Sequence, residues 1–175
     1  MAVALQTPFF IDLGYSLSTI GQVAKIAGTA GAIVGGLLGG VSMLKLGINR
    51  ALWIFGVVQV VTILGFALLS EIGVDDRALA AVMFAEYVGV GLGTAALVAF
   101  IARSTAREFA ATQLALLTAI SALPRTFASA SSGVIIEAIG YTSFFYVCMA
   151  LAVPGLLLLI KVAPWGQAVG SNGAA

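Results

Sequence analysis

Charged residues in this chain fall in clusters, and the clusters are separated by apolar stretches close to the length that crosses a bilayer. A transmembrane helix needs roughly 20 predominantly apolar residues. Five such stretches lie between the clusters: Ile20–Leu44, Ala51–Leu69, Ala78–Ala102, Phe109–Ile139 and Tyr141–Val162. Hydrophobic residues make up 61% of the chain and charged residues 9%, and the mean hydropathy is +1.14, values that a water-facing surface could not accommodate. The sequence therefore predicts an all-α integral membrane protein with the lipid bilayer as its solvent. The stub Met1–Phe10 is too short to cross and lacks the basic flank and cleavage site of a signal peptide, so it is expected to be the end of a helix begun earlier. Asp12, Gly14, Ser16 and Ser18 supply turn and N-cap chemistry before the first full span. Residues 1–163 form the helical part, and the Gly-, Ser- and Ala-rich residues 164–175 are expected to be a disordered cytoplasmic tail.

Several functions are excluded by composition. Eight Lys and Arg against seven Asp and Glu give a net charge of +1, too little for the broad basic surface that nucleic-acid binding requires. Histidine is absent, which removes imidazole acid/base catalysis, haem ligation through His and the zinc-protease motif. The single cysteine, Cys148, sits in an apolar run, where a thiol behaves as a small hydrophobe. No metal and no cofactor are implied. No enzyme is expected either, because serines without His and without a Lys dyad in the same stripe leave no activated nucleophile.

Orientation follows from the basic residues. Lys45, Arg50, Arg103, Arg107 and Lys161 fall on one set of links, whereas the opposite links carry Arg77 with Glu71, Asp75, Asp76 and Glu137. Basic links favour the cytoplasm. The Lys45 side and the C-terminus are therefore expected inside, with the region around Asp12 outside.

The spans also differ in what they present to their neighbours. The second, with only Gln59 and Thr62 as polar interior residues, and the last, with little beyond Cys148, are expected at the periphery. The first carries Gly28, Gly31, Gly35 and Gly39 along one stripe, with Gly36 and Gly40 in a second row, a pattern that lets another backbone approach closely. Lys25 shares that stripe and can either snorkel to the outer interface or face a cavity. In the third span Glu86, Gly89 and Gly93 share a face; the Gly89, Gly91, Gly93 run lies inside a span and follows no strand, so it is no dinucleotide loop. In the fourth, Thr118, Ser121, Arg125, Ser129 and Ser132 draw a continuous polar stripe, and Pro124 predicts a kink. An unpaired charge deep in a bilayer costs about 2.5–3.5 kcal/mol on insertion scales, so Glu86 and Arg125 each require a reason. Two reasons stay open at this level: a proton and substrate site, or a pair that holds two helices in register. Glu86 is expected to approach the stripe bearing Arg125.

Taken together, FFIDLGYS at Phe9–Ser16, IGQVAK at Ile20–Lys25, LGINRALWIFGVVQ at Leu46–Gln59, GLGTAALVAFIAR at Gly91–Arg103, EFAATQLALLTAISALPRTFASASSG at Glu108–Gly133 and GYTSFF at Gly140–Phe145 resemble the second half of AmpG-type muropeptide permeases, members of the major facilitator superfamily. The resemblance implies that the stub is the end of helix 7 and the five spans are helices 8 to 12, with the N-terminal half of the transporter as a partner absent from this sequence. It implies peripheral ninth and twelfth helices, in agreement with the stripes. It further implies proton-driven import of anhydro-muropeptides, glycopeptide fragments of recycled cell wall, across a bacterial inner membrane. On this basis Arg125, Lys25, Ser121 and Ser129 are the candidate substrate-binding residues, and Glu86 and Asp12 the candidate proton carriers. Lys45, Arg50 and Gly40 fall on a link similar to the superfamily's cytoplasmic gating motif, although Leu44 stands where that motif usually carries an acidic residue. A permease for another bulky anion such as an acyl-coenzyme A, or a non-transporting membrane scaffold, fits the same residues; uptake of labelled substrate separates them.

Overall fold

The computed structural model describes residues 2–104 and 110–165, and the side chains of residues 121, 124, 125 and 129 are among those outside the description. Six helices account for these residues: α1 (Ala2–Leu13), α2 (Leu17–Leu46), α3 (Ile48–Ile72), α4 (Asp76–Ser104), α5 (Ala110–Ile139) and α6 (Tyr141–Val162). Among the described residues four of them, α2, α3, α4 and α6, are long and apolar enough to cross a membrane. The fifth, α5, has 30 residues, a length of about 45 Å at 1.5 Å per residue. α2, α3 and α4 run past their predicted apolar stretches at both ends, whereas α6 has the predicted bounds. The links among the described residues are short. Gly47 and Gly140, at φ 76°, stop one helix and let the next begin at the following residue, a backbone geometry that a Cβ disfavours.

α4 is the organising helix. It packs most extensively against α2, then against α3, while α3 packs against α6. The α2–α4 seam is built on glycine, as the stripe predicts. A Cβ at Gly31 would come 2.6 Å from the Phe84 carbonyl oxygen, and one at Gly35 would overlap the Val88 carbonyl. Gly28 lies against the Tyr87 ring and Gly39 against Ala95. The approach is reciprocal, because a Cβ at Gly91 of α4 would meet the Ala32 oxygen at 2.7 Å and the Gly36 nitrogen at 2.8 Å. With no hydrophobic drive between helices in lipid, backbone proximity of this kind supplies the dispersion contact that holds them. The second glycine row is different: added Cβ atoms at Gly36 and Gly40 would meet nothing within 4 Å.

α2 is not uniformly α-helical. Ala24–Gly28 forms a π-turn, with Lys25 inside it, immediately before the glycine seam. Such turns insert an extra residue into a helix and are found frequently at functional sites. No periodicity in the sequence announced it.

The two ends of the bundle are tied differently. At one end Phe9, Phe10, Phe66, Phe144 and Phe145 are almost fully buried together, joining α1, α3 and α6, and Phe66 stacks on Phe145 with centroids 5.5 Å apart. Cys148 is buried in the same cluster, as a small hydrophobe would be. Nearby, the Tyr15 hydroxyl accepts from the Asp75 N–H at 2.7 Å and donates to the Asp75 carbonyl at 2.9 Å, joining two links. At the other end the start of α3 grips the chain leaving α6. Trp53 Nε1 donates to the Ala163 carbonyl at 3.0 Å, Asn49 Nδ2 to the Pro164 carbonyl at 3.2 Å and Arg50 Nε to the Trp165 carbonyl at 3.4 Å. Arg103, from the end of α4, donates to Asn49 Oδ1 at 2.7 Å. The first three of these bonds satisfy backbone carbonyls of the segment that follows α6. The basic residues Arg50 and Arg103 therefore gather at one end of the bundle, as alternating links require.

Candidate functional site

The site is centred on Glu86, which is 1% exposed although it is a carboxylate in the middle of a spanning helix. Its surroundings come from α3. Gln59 and Thr62 are three residues apart and so lie on one face of that helix. Gln59 Nε2 donates to Glu86 Oε1 at 2.8 Å, and Thr62 Oγ1 lies 2.6 Å from Glu86 Oε2. The Thr62 hydroxyl is also 2.9 Å from the Gln59 backbone carbonyl, and Gln59 Nε2 is 3.4 Å from Thr62 Oγ1, which closes the three side chains into one network. Gly89, one turn along α4, makes the approach possible: an added Cβ there would come 3.1 Å from Gln59 Oε1 and 3.3 Å from Thr62 Oγ1.

This arrangement departs from the expectation that Glu86 faces the polar stripe of α5. Both carboxyl oxygens are directed at α3, the helix expected to be peripheral. The physical reason is that α3 carries two hydrogen-bonding side chains at a single level, opposite a glycine. Gln59 and Thr62 were visible in the sequence as the polar interior residues of their span, but nothing within that span identified their partner. Gly93, grouped with Glu86 and Gly89 from its spacing, meets nothing within 4 Å and does not share the contact. Gly91 instead belongs to the seam on the opposite side of α4.

The other candidate residues are dispersed. Lys25 is exposed, within the π-turn of α2. Asp12, at the end of α1, is exposed and accepts a hydrogen bond from the Tyr141 hydroxyl at 2.5 Å, which ties α1 to α6. Lys45 and Gly40 are exposed near the end of α2, and Arg50 is exposed at the grip on residue 165. Ser121, Arg125 and Ser129 fall on α5 by their backbone; their side chains lie outside the described residues, as does that of Pro124. Sequence reasoning missed the Gln6–Tyr87 contact, in which Gln6 Nε2 donates to the Tyr87 hydroxyl at 3.0 Å between α1 and α4. Tyr87 follows Glu86 directly and turns to the other side, against Gly28. Two adjacent residues of α4 thus serve two different helix pairs.

No family model matches the chain. Among known proteins, the chain is 49% identical to an uncharacterised protein of Haemophilus influenzae, over 95% of its own length and 41% of the relative's. It is 39% identical to the anhydromuropeptide permease of Escherichia coli K12, over 91% of its length and 33% of the relative's. It is also 32% identical to the putative transporter AmpG 4 of Rickettsia felis, over 91% of its length and 39% of the relative's. The chain thus spans about two fifths or less of each of these relatives, and the named ones are permeases or transporters rather than enzymes. Four apolar helices of spanning length and this similarity make the chain a multi-pass membrane protein that is homologous, over about nine-tenths of its length, to part of the proteins named anhydromuropeptide permease and AmpG.

Proposed function

We propose that the chain is part of a proton-coupled secondary transporter that imports anhydro-muropeptides for peptidoglycan recycling. The observation that carries this reading is the 39% identity to a relative named for that cargo, spread over 91% of the chain rather than confined to one motif. The membrane is the bacterial inner membrane, with the Arg50 and Arg103 end and the C-terminus cytoplasmic, as the distribution of basic residues favours. The fold is a major-facilitator C-terminal bundle working against an N-terminal half, with substrate held between the two. Peptide carboxylates of the cargo pair with Arg125 or Lys25, and its sugar hydroxyls meet Ser121 and Ser129. Glu86 carries the proton, with Asp12 as the alternative carrier; Lys45, Arg50 and Gly40 serve the inner gate. Residues 1–175 alone do not transport, because rocking one half against another needs both.

Uptake of labelled anhydro-muropeptide into vesicles containing the complete transporter tests the reading. Accumulation that collapses when the proton gradient is dissipated is expected, and Glu86→Gln abolishes uphill accumulation while leaving downhill exchange. Absence of uptake with anhydro-muropeptide but uptake of another bulky anion would replace the cargo, and failure with every anionic substrate would favour a scaffold.

A further inference from the structure

The Glu86 network contains fewer hydrogens than an ionised carboxylate needs. Thr62 has one hydroxyl hydrogen, yet its oxygen lies within hydrogen-bond distance of two oxygens, the Gln59 carbonyl at 2.9 Å and Glu86 Oε2 at 2.6 Å. A carbonyl cannot donate. If Glu86 is ionised, the single hydrogen satisfies one contact and leaves the other as two acceptors facing each other. If Glu86 Oε2 carries a hydrogen, every contact is satisfied at once: Glu86 donates to Thr62, Thr62 donates to the Gln59 carbonyl, and Gln59 Nε2 donates to Glu86 Oε1 at 2.8 Å. Among the described residues no buried cation lies beside Glu86. Among the described residues, the charged side chains on the helices packed against α4 are Lys25 and Lys45 on α2 and Arg50 and Glu71 on α3, all exposed, as are Asp76, Arg77 and Arg103 on α4 itself. On α5, the charged side chains of Arg125 and Glu137 lie outside the description, and both Glu86 oxygens are already directed at α3. An uncompensated buried carboxylate would be costly in this setting, whereas a neutral acid with three matched hydrogen bonds is not.

We propose that Thr62, seated by Gln59, is the positioning residue that holds Glu86 as a neutral acid with its proton on Oε2, on the α3 side of α4. The inference rests on the reading of Glu86 as the proton carrier and assigns how the proton is kept. The same geometry defines its release. When the proton leaves, the Thr62 hydroxyl rotates away from the Gln59 carbonyl to donate to the carboxylate, and the Gln59 carbonyl keeps the helical bond from the N–H four residues on. One hydroxyl rotation, with no helix movement, therefore separates the two protonation states, and only the protonated one satisfies the whole network.

Infrared spectroscopy of the complete transporter in lipid vesicles at neutral pH tests this. The expected spectrum contains the carbonyl absorption of a protonated carboxylic acid that disappears in Glu86→Gln, shifts in Thr62→Val and returns to its original position in Thr62→Ser. Thr62→Ser keeps the hydroxyl with minimal change of volume, and its melting temperature serves as the folding control. A spectrum that shows Glu86 as carboxylate overturns the inference, and so does an acid band that Thr62→Val leaves unmoved. The coupling role is read separately by uptake. If the band behaves as expected but Glu86→Gln still accumulates substrate, the neutral acid stands and the carrier role fails. If Glu86→Gln uncouples transport yet no acid band is present, the carrier role stands and the inference falls.

Discussion

The two sides of α4 solve the same problem in opposite ways. Toward α2, the seam has no polar side chain at its closest points: Gly31, Gly35 and Gly91 bring backbone onto backbone, and the contact is dispersion between main chains. Toward α3, the seam is built around a buried carboxyl group with its hydrogen-bond partners, Gln59 and Thr62, and Gly89 makes room for them. A glycine seam tolerates no added atom but needs no particular chemistry, whereas a polar seam tolerates some change of volume but needs every hydrogen accounted for. On the proposal above, one helix locked on the first side and chemically responsive on the second holds a proton without losing its packing.

The largest effect is expected from filling the glycine seam. Gly35→Leu puts side-chain atoms where the Val88 carbonyl lies, and because that neighbour is backbone it cannot step aside. Overpacking costs about 1–3 kcal/mol and occasionally more where nothing relaxes. Loss of monodisperse protein or a large fall in melting temperature in detergent is expected. Gly36→Ala, one residue away and facing open space, should leave both unchanged.

An intermediate effect is expected from breaking the polar seam. Glu86→Leu removes the carboxyl group and leaves Gln59 and Thr62 with unmatched groups, at a cost of about 1–3 kcal/mol. Glu86→Gln keeps a hydrogen-bonding group of the same size, and its melting temperature should stay closer to that of the unaltered protein than to that of Glu86→Leu. Equal losses for the two would show that volume rather than hydrogen bonding governs this seam.

The smallest effect belongs to Gly89→Ala. The new methyl would press on the Gln59 and Thr62 side-chain oxygens at 3.1 and 3.3 Å, and a side-chain tip can yield where backbone cannot. A loss of about 0.5–1 kcal/mol is expected, at the low end for point substitutions. A loss as large as that of Gly35→Leu would erase the distinction between the two sides of α4.

Much of this was legible before any coordinates. The apolar run lengths located the spanning helices, and the spacing of Gly28, Gly31, Gly35 and Gly39 marked a packing face, because periodicity within one helix is a property of that helix alone. Glu86 stood out for the same reason, as a charge where charge is costly. Its partner did not. Gln59 and Thr62 signal nothing by themselves, since two polar residues in an otherwise apolar helix can face lipid interface, cavity or neighbour, and the rotation of α3 against α4 decides which. Arg125 is the more conspicuous candidate because charge attracts notice, yet among the described residues Gln59 and Thr62, opposite a glycine, meet the carboxyl group. The π-turn around Lys25 was invisible for a related reason: its composition, Ala-Lys-Ile-Ala-Gly, is that of an ordinary helix.

The central claim is that Glu86 is bound to α3, and a double-mutant cycle on folding stability in detergent or lipid tests it most directly. Thr62→Val, Glu86→Leu and the pair together should give an interaction energy of about 0.5–1.7 kcal/mol, the range expected for a hydrogen-bonded contact between membrane helices. The parallel cycle with Arg125→Leu in place of Thr62→Val should give an interaction energy near zero. Additive effects for Thr62 and Glu86, together with strong coupling between Arg125 and Glu86, would contradict the account and return the carboxylate to the stripe on α5.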